Sequence, residues 1–377
     1  MQKNKNKPGY KKTKVGWIPE DWKCCRLGDV FEKRNAHGTD EAPVFSVSQE
    51  HGLVPRGSLE RRVESNLSAS DSLLVEPGDI AYNMMRMWQG AVAVSRETCI
   101  VSPAYVVCRP VPDYCNSDFM LLFFKSRLGL NKLWSYSYGI VDDRLRLYFK
   151  DFALVPAPLP SLPEQEAIAE VLECWDKAIR VYEQKIEKKR NIKKGLMRHL
   201  LTGRRRLPDF DSALGAGNSE VIIPEGWKEV RLSDIVSIAY GKDWKDVKSL
   251  SGGVAVFGTG GLMGYASKAL FQPPAILLGR KGTIDSPIFI DEPFWAVDTT
   301  FAIHAVVDID MLFLHNLLKT IHWHQYNEAS GVPSLSRETI QGIHIKLPCL
   351  AEQQAIAAVL STADGEITTL ERKLAAL

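Results

Sequence analysis

Two kinds of hydrophobic pattern alternate along the chain. "DSLLVEPGDIAYNMM" and "GAVAVSRETCIVSPAYVVCRP" are short apolar, β-branched runs broken by turn residues such as Pro77-Gly78, and they predict strands. "DFMLLFFKSRLGLNKLW" predicts a helix after them. Further along, "PPAILLGRKGTIDSPIFIDEPFWAVDTTFAIHAV" predicts strands again, and "DIDMLFLHNLLKTIHW" a helix in the same relative place. A glycine-containing polar loop follows each set, "SYSYGIVDDRL" in the first and "NEASGVPSLSR" in the second.

After each loop the period changes to that of a long helix. The first such pattern presents Ile168, Leu172, Trp175, Ile179, Tyr182 and Ile186; the second presents Ile356, Leu360, Ala363, Ile367, Leu370, Leu374 and Leu377. Steps alternating four and three residues make a coiled-coil seam. Two matching seams in one chain can satisfy each other, so an antiparallel helix pair is expected. The first helix is expected from Glu164 to about Leu200, stopped by Gly203 and Pro208. At ~1.5 Å per residue it spans roughly 55 Å.

The chain is also written twice. "LPSLPEQEAIAEVL" (Leu159 to Leu172) returns as "LPCLAEQQAIAAVL" (Leu347 to Leu360), with 10 of 14 positions identical. "IPEDWKCCRLGDV" (Ile18 to Val30) returns as "IPEGWKEVRLSDI" (Ile223 to Ile235), with 8 of 13 identical. Each half therefore opens and closes on a shared cassette around a centre of its own. A duplicated enzyme would keep its chemistry in the shared parts; a recognition protein keeps its frame and varies its reading surface. The fold expected is α+β: two globular α/β modules separated by two long helices forming an antiparallel coiled coil, related by a pseudo-twofold internal repeat. The boundaries are 1–158 for the first module (1–15 a flexible basic tail), 159–206 for the central spacer helix, 207–346 for the second module and 347–377 for the distal spacer helix. In the repeat alignment Leu377 corresponds to Lys189, so the distal helix is expected to be truncated relative to the central one.

The chain has 377 residues and a formal net charge of only +2, but its charge is uneven. The first sixteen residues hold six lysines and no acid, and eleven basic residues against two acids lie between Arg180 and Arg206, leaving room for a polyanion nearby. Seven cysteines without a CxxC pair point to reduced structural thiols in a cytosol rather than to disulfides or zinc. No signal-peptide pattern and no run of 18 apolar residues occurs, so no membrane is expected.

With those motifs in view, the chain resembles the specificity subunit of Type I restriction–modification systems. "IPExWKxxRLxD" and "LPxLxEQxAIAxVL", each present twice, carry the resemblance, and "VAVFGTGGLMGYASKAL", "AILLGRKGTI" and "FWAVDTTFAI" look like one class of that family's target-recognition domains. The resemblance implies that each centre reads one half of a split double-stranded DNA site. It implies that the helices fix the gap and dock two modification subunits. Those carry S-adenosylmethionine and methylate adenine; restriction subunits add ATP- and Mg-dependent translocation and cleavage. The chain itself is then a non-catalytic subunit that binds no cofactor. The residues agree: no Asn/Asp-Pro-Pro-aromatic segment and no GxxxxGK[ST] loop occurs, the run "FGTGGLMG" fits a tight turn better than a methyltransferase loop, and His322 and His324 fit a helix end better than a metal site. A specificity partner of a stand-alone methyltransferase, a self-sufficient DNA enzyme and a protein-only scaffold remain the alternatives.

Base reading needs Arg, Lys, Asn, Gln, Ser or Thr at groove edges, and phosphate contacts need basic and polar loops. In the first centre the DNA-binding candidates are Asn83, Arg86, Trp88 and Gln89 after the "GDI" strand, with Tyr136, Tyr138, Arg144 and Arg146 in the polar loop. In the second they are Tyr240, Lys242 and Lys245; Thr259, Arg280, Lys281 and Thr283 beside glycines that allow close backbone approach; and Ser330, Ser334 and Arg337 in the polar loop.

Overall fold

The computed structural model describes residues 7–38, 42–58, 69–140, 145–210 and 226–377. It divides into two compact units, 1–178 and 179–377.

In the first unit the opening cassette supplies strand Lys23–Arg26, which pairs antiparallel with Pro156–Leu159, the strand leading into the central helix. The second unit repeats this with Lys228–Arg231 against His344–Leu347. Both units then hold a four-stranded antiparallel sheet of one topology. Its order in the first unit is Phe31–Lys33, Tyr105–Pro110, Ile80–Asn83, Val92–Val94; in the second it is Val236–Tyr240, Thr300–Ala305, Ala275–Gly279, Ile288–Ile290. The centres thus share a scaffold that their sequences no longer display. Around it they differ. The second unit adds a sheet in which Val254–Gly258 pairs antiparallel with Gly261–Ala266 and parallel with Phe294–Ala296. The first adds the hairpin Phe45–Ser48/Gly52–Pro55 and the pair Leu73–Val75/Cys99–Val101.

The duplicated residues are joints. Trp22 Nε1 donates to Glu164 Oε1 (3.0 Å), and Trp227 Nε1 donates to Glu352 Oε2 (3.1 Å). Gln165, fully buried, accepts from the backbone N–H of Asn116 (2.9 Å) and donates to the carbonyl of Pro160; Gln353 accepts from that of Asp310 (3.0 Å) and donates to that of Pro348. Asn116 and Asp310 are in turn the side-chain N-caps of helices Ser117–Lys125 and Met311–Leu318. Each glutamine therefore ties the start of a long helix to the capped end of a module helix.

Several expectations are corrected. "DFMLLFFKSRLGLNKLW" is two helices, Ser117–Lys125 and Arg127–Ser135. Ser126 takes extended backbone (ψ 154°) and its hydroxyl caps the second by accepting from the N–H of Gly129. "DIDMLFLHNLLKTIHW" ends its helix at Leu318, and Trp323–Tyr326 forms a separate 3₁₀ turn. Within the expected basic tail, Tyr10–Thr13 pairs with Gly16–Pro19 and Val15 is buried; residues 1–6 lie outside the described residues.

The central helix runs Leu162–Leu200 and the distal helix Leu350–Ala375. In the second unit they pair in opposite directions: Lys193 with Asp364 (2.5 Å), Lys189 with Glu366 (2.6 Å) and Arg190 with Glu371 (2.7 Å); just past the end of the central helix, Arg206 pairs with Glu352 (2.7 Å). Ile186 and Leu374 line one cleft between them, and Ile367 is buried. The predicted seam is not continuous, however. Ile356 and Leu360 belong to the core of the second module, together with Phe313, Leu314, Leu200 and Leu201, while Ile168 packs against the core of the first. Leu172 and Trp175 are 40% and 48% exposed. A helix that docks its first turns on a module has its inward face taken before a second helix can meet it.

His315 lies inside the second unit, its Nε2 3.1 Å from the carbonyl of Pro287. Burial first, and the nearby Lys319 charge second, push its pKa down to about 4. Lys193 and Asp364 also face it, with opposing effects. A folded value below the unfolded one means that stability is full above about pH 6.5 and is lost as pH falls toward 4, because only the unfolded chain takes up the proton. The loss is on the order of 2–3 kcal/mol. His315→Gln, which cannot titrate, is expected to flatten that limb in urea midpoints measured between pH 7 and pH 4.

Candidate nucleic-acid interface

In the first unit, strand Ile80–Asn83 ends in a tight loop that carries four candidates. Asn83 Oδ1 accepts from the Met85 N–H (2.9 Å), Trp88 Nε1 donates to the Met85 carbonyl (3.0 Å), and Gly90 closes the loop in the left-handed region (φ 86°). The polar loop lies alongside. Tyr138 and Arg146 exchange backbone hydrogen bonds (2.9 and 2.8 Å), and the N–H of Leu147 donates to the carbonyl of Met84 (2.8 Å). That last bond sets the start of the loop after Asn83 beside the Tyr138–Arg146 pair. Arg86, Tyr138 and Arg146 are exposed, Trp88 and Gln89 half-buried. Tyr136 stands apart: it lines a different cleft, with Thr13, Lys14, Cys24 and Arg26. Arg144 lies outside the described residues.

In the second unit the convergence is tighter. Tyr240 ends the first strand of the sheet, and its ring packs on the buried Phe301 (centroids 5.1 Å apart). The guanidinium carbons of Arg280 and Arg337 lie 5.1 and 5.3 Å from the centre of that ring, cation–π distances. The loop after strand Ala275–Gly279 is held from both sides: the N–H groups of Arg280 and Lys281 donate to the Thr299 carbonyl, and those of Gly282 and Leu335 donate to the carbonyls of Pro333 and Arg280. Lys281 and Ser334 therefore face each other as a β-bridge. Thr259 sits in the turn of the hairpin formed by the glycine-rich run, its hydroxyl 3.6 Å from where a Cβ on Gly282 would stand. Lys281, Thr283 and Ser330 are exposed.

Lys242 and Lys245 flank this cluster. Lys245 lines a cleft of about 620 Å³ with Trp244, Thr259 and Asp298, and Lys242 supplies the carbonyl that accepts from Trp295 Nε1 (2.9 Å). Lys245 also pairs with Asp243 (3.2 Å), whose carboxyl is held below its usual range chiefly by the Lys245 backbone N–H.

Reasoning from sequence overlooked the residues that hold these side chains in place. Asn327 Oδ1 accepts from the N–H groups of Ala329 and Ser334, stapling the polar loop. The Glu328 carboxylate accepts from the hydroxyls of Thr339 and Ser336, which in that order hold its pKa down. An Asx residue ahead of a glycine loop was the available signal.

Electrostatically the cluster is lopsided. Among the described residues no carboxylate makes a salt bridge to Arg280, and Arg337 meets only Glu338, at 3.7 Å. Two guanidiniums on one ring beside an exposed lysine favour an anionic partner.

Known proteins match both halves of this chain. The family described as Type I restriction modification DNA specificity domain matches residues 19–189 and again 224–377. The chain belongs to that family. Its specificity-domain relatives include the type I restriction enzyme MjaVIII specificity subunit of Methanocaldococcus jannaschii, 27% identical over 250 residues, a match covering 63% of this chain and 54% of the relative. The putative MjaX specificity subunit of the same organism is 23% identical over 97% of this chain and 91% of its own length. The chain thus spans about half of the first relative and nearly all of the second. Among solved structures, the S subunit of a Type I restriction–modification system from M. genitalium superposes with a TM-score of 0.64 at 16% identity, covering 94% of this chain and 92% of that one. At that identity the likeness is one of fold. Among the described residues no helix is long and apolar enough to cross a membrane, and no group of three metal-ligating side chains forms.

Proposed function

We propose that this chain is the non-catalytic DNA sequence-specificity subunit of a cytoplasmic Type I restriction–modification complex. Each module reads one half of a bipartite, asymmetric site on double-stranded DNA. The two long helices act as an antiparallel coiled-coil spacer that sets the gap and docks two modification subunits. Those partners supply S-adenosylmethionine for adenine methylation, and restriction subunits supply the ATP- and Mg-dependent steps. The observation that carries the reading is the Arg280–Tyr240–Arg337 cluster. Its Arg280 stands on a loop that two neighbouring loops brace, in a family of specificity domains.

Single-molecule sequencing of adenine methylation in host DNA, with and without the gene, tests it. Loss of one split motif on deletion is the expected result, and an unchanged set of motifs contradicts it. Lys242→Ala combined with Lys281→Ala is expected to weaken binding of the assembled complex to cognate and non-cognate duplexes alike. The salt dependence should become shallower by about 1–2 in log–log slope. Fluorescence anisotropy across a salt series reads both.

A further inference from the structure

Within the proposed function, on which this step rests, we infer that Arg280 reads a guanine in the half-site of the second module. Arginine is the residue whose planar fork matches the O6 and N7 acceptors on the major-groove edge of guanine. A bidentate contact with a base edge fixes the plane of the fork, so an arginine held in one orientation is suited to it. Arg280 is fixed at every level. Its backbone N–H donates to Thr299 and its carbonyl accepts from Leu335. Its guanidinium rests on the Tyr240 ring, which rests on the fully buried Phe301, so an unbroken line of contacts runs from the core to the charged group. One further bond, from Nη1 to the carbonyl of Asp298 (3.3 Å), uses one of the five N–H donors and sets the tilt of the plane. The strand before it ends in Gly279, against which the Thr283 backbone packs too closely for any side chain, and the turn after it bends at Gly282 (φ 92°), so the loop that carries the fork is tightly wound. Arg337 is held less firmly, at the first position of a five-residue helix and facing Glu338. Lys281, exposed on the same loop, is placed to meet the backbone phosphates beside the guanine.

Arg280→Lys decides the point, because lysine keeps the charge and loses the fork. In cells carrying this variant in the full complex, the split motif is expected to remain methylated while one guanine of one half becomes tolerant of other bases. Discrimination there should fall by about five- to a hundredfold. An unaltered motif overturns the assignment, and so does an even drop in methylation across all sites, which is the mark of a phosphate contact. A second measurement needs no variant. Binding of the wild-type complex to duplexes with 7-deazaguanine, which lacks N7, should weaken at the guanine that Arg280 reads, and the Arg280→Lys complex should be indifferent to that replacement. Equal sensitivity of both complexes overturns the assignment. Absence of salt-dependent DNA binding by the wild-type complex would instead count against the proposed function as a whole.

Discussion

Glu352→Ala is expected to cost the second unit about 3–5 kcal/mol of stability. The carboxylate is completely buried, grips Arg206 through both oxygens (3.0 and 2.7 Å) and accepts from Trp227 Nε1. Its removal strands an arginine side chain that is only 16% exposed. The change most easily compared with it is Glu164→Ala, at the same place in the other copy of the repeat. Glu164 is half-buried and accepts from Trp22, so about 1 kcal/mol is expected there. Hydrogen exchange read separately on the amides of Ile276–Leu278 and of Ile80–Tyr82 reports the two units. Equal losses for the two variants would refute the claim that the identical motifs bear unequal loads.

For Gly279→Ala we expect a loss of about 2–3 kcal/mol, from overpacking, together with collapse of the candidate interface. A Cβ there would stand 1.9 Å from the carbonyl oxygen of Thr283 and 2.8 Å from its carbon. Both are backbone atoms, so no rotamer relieves the clash and the Arg280–Thr283 turn must move. DNA affinity should therefore fall at least as far as it does in Arg280→Lys, with the melting temperature falling too. Gly331→Ala, in the neighbouring polar loop, meets nothing within 4 Å and should leave both unchanged. If Gly331→Ala proves as damaging as Gly279→Ala, the steric argument is wrong.

Much of the frame was legible in the sequence because the frame is where the chain repeats itself. Trp22 and Trp227, Glu164 and Glu352, Gln165 and Gln353 are identical pairs making equivalent bonds. The common sheet topology was visible only as an order of strands, helix and loop. Main-chain pairing does not need identical side chains, so the two sheets diverged without changing connection. The break at Ser126 was hidden because an apolar period of 3.6 runs on across it, and one hydroxyl cap outweighs that pattern. Of the candidates in the second module, Thr259, Arg280, Lys281 and Thr283 stood out beside glycines. That Tyr240 joins two arginines some 40 and 97 residues on is a tertiary fact that no local pattern encodes. Tyr136 lines a cleft apart from the other candidates because loop membership does not reveal which cleft a side chain lines. The seam was read as continuous because spacing records which face is apolar and not what covers it. Leu360 is fully buried, while Leu172, its twin in the repeat, is exposed.

The glutamine joints have an evolutionary consequence. Gln165 and Gln353 touch their modules through main-chain N–H and carbonyl groups, which almost every residue possesses. A joint of this kind is blind to the identity of the residues that it fastens. Mutations can accumulate between the cassettes without loosening the attachment, and the two centres can diverge without any compensating change in the frame.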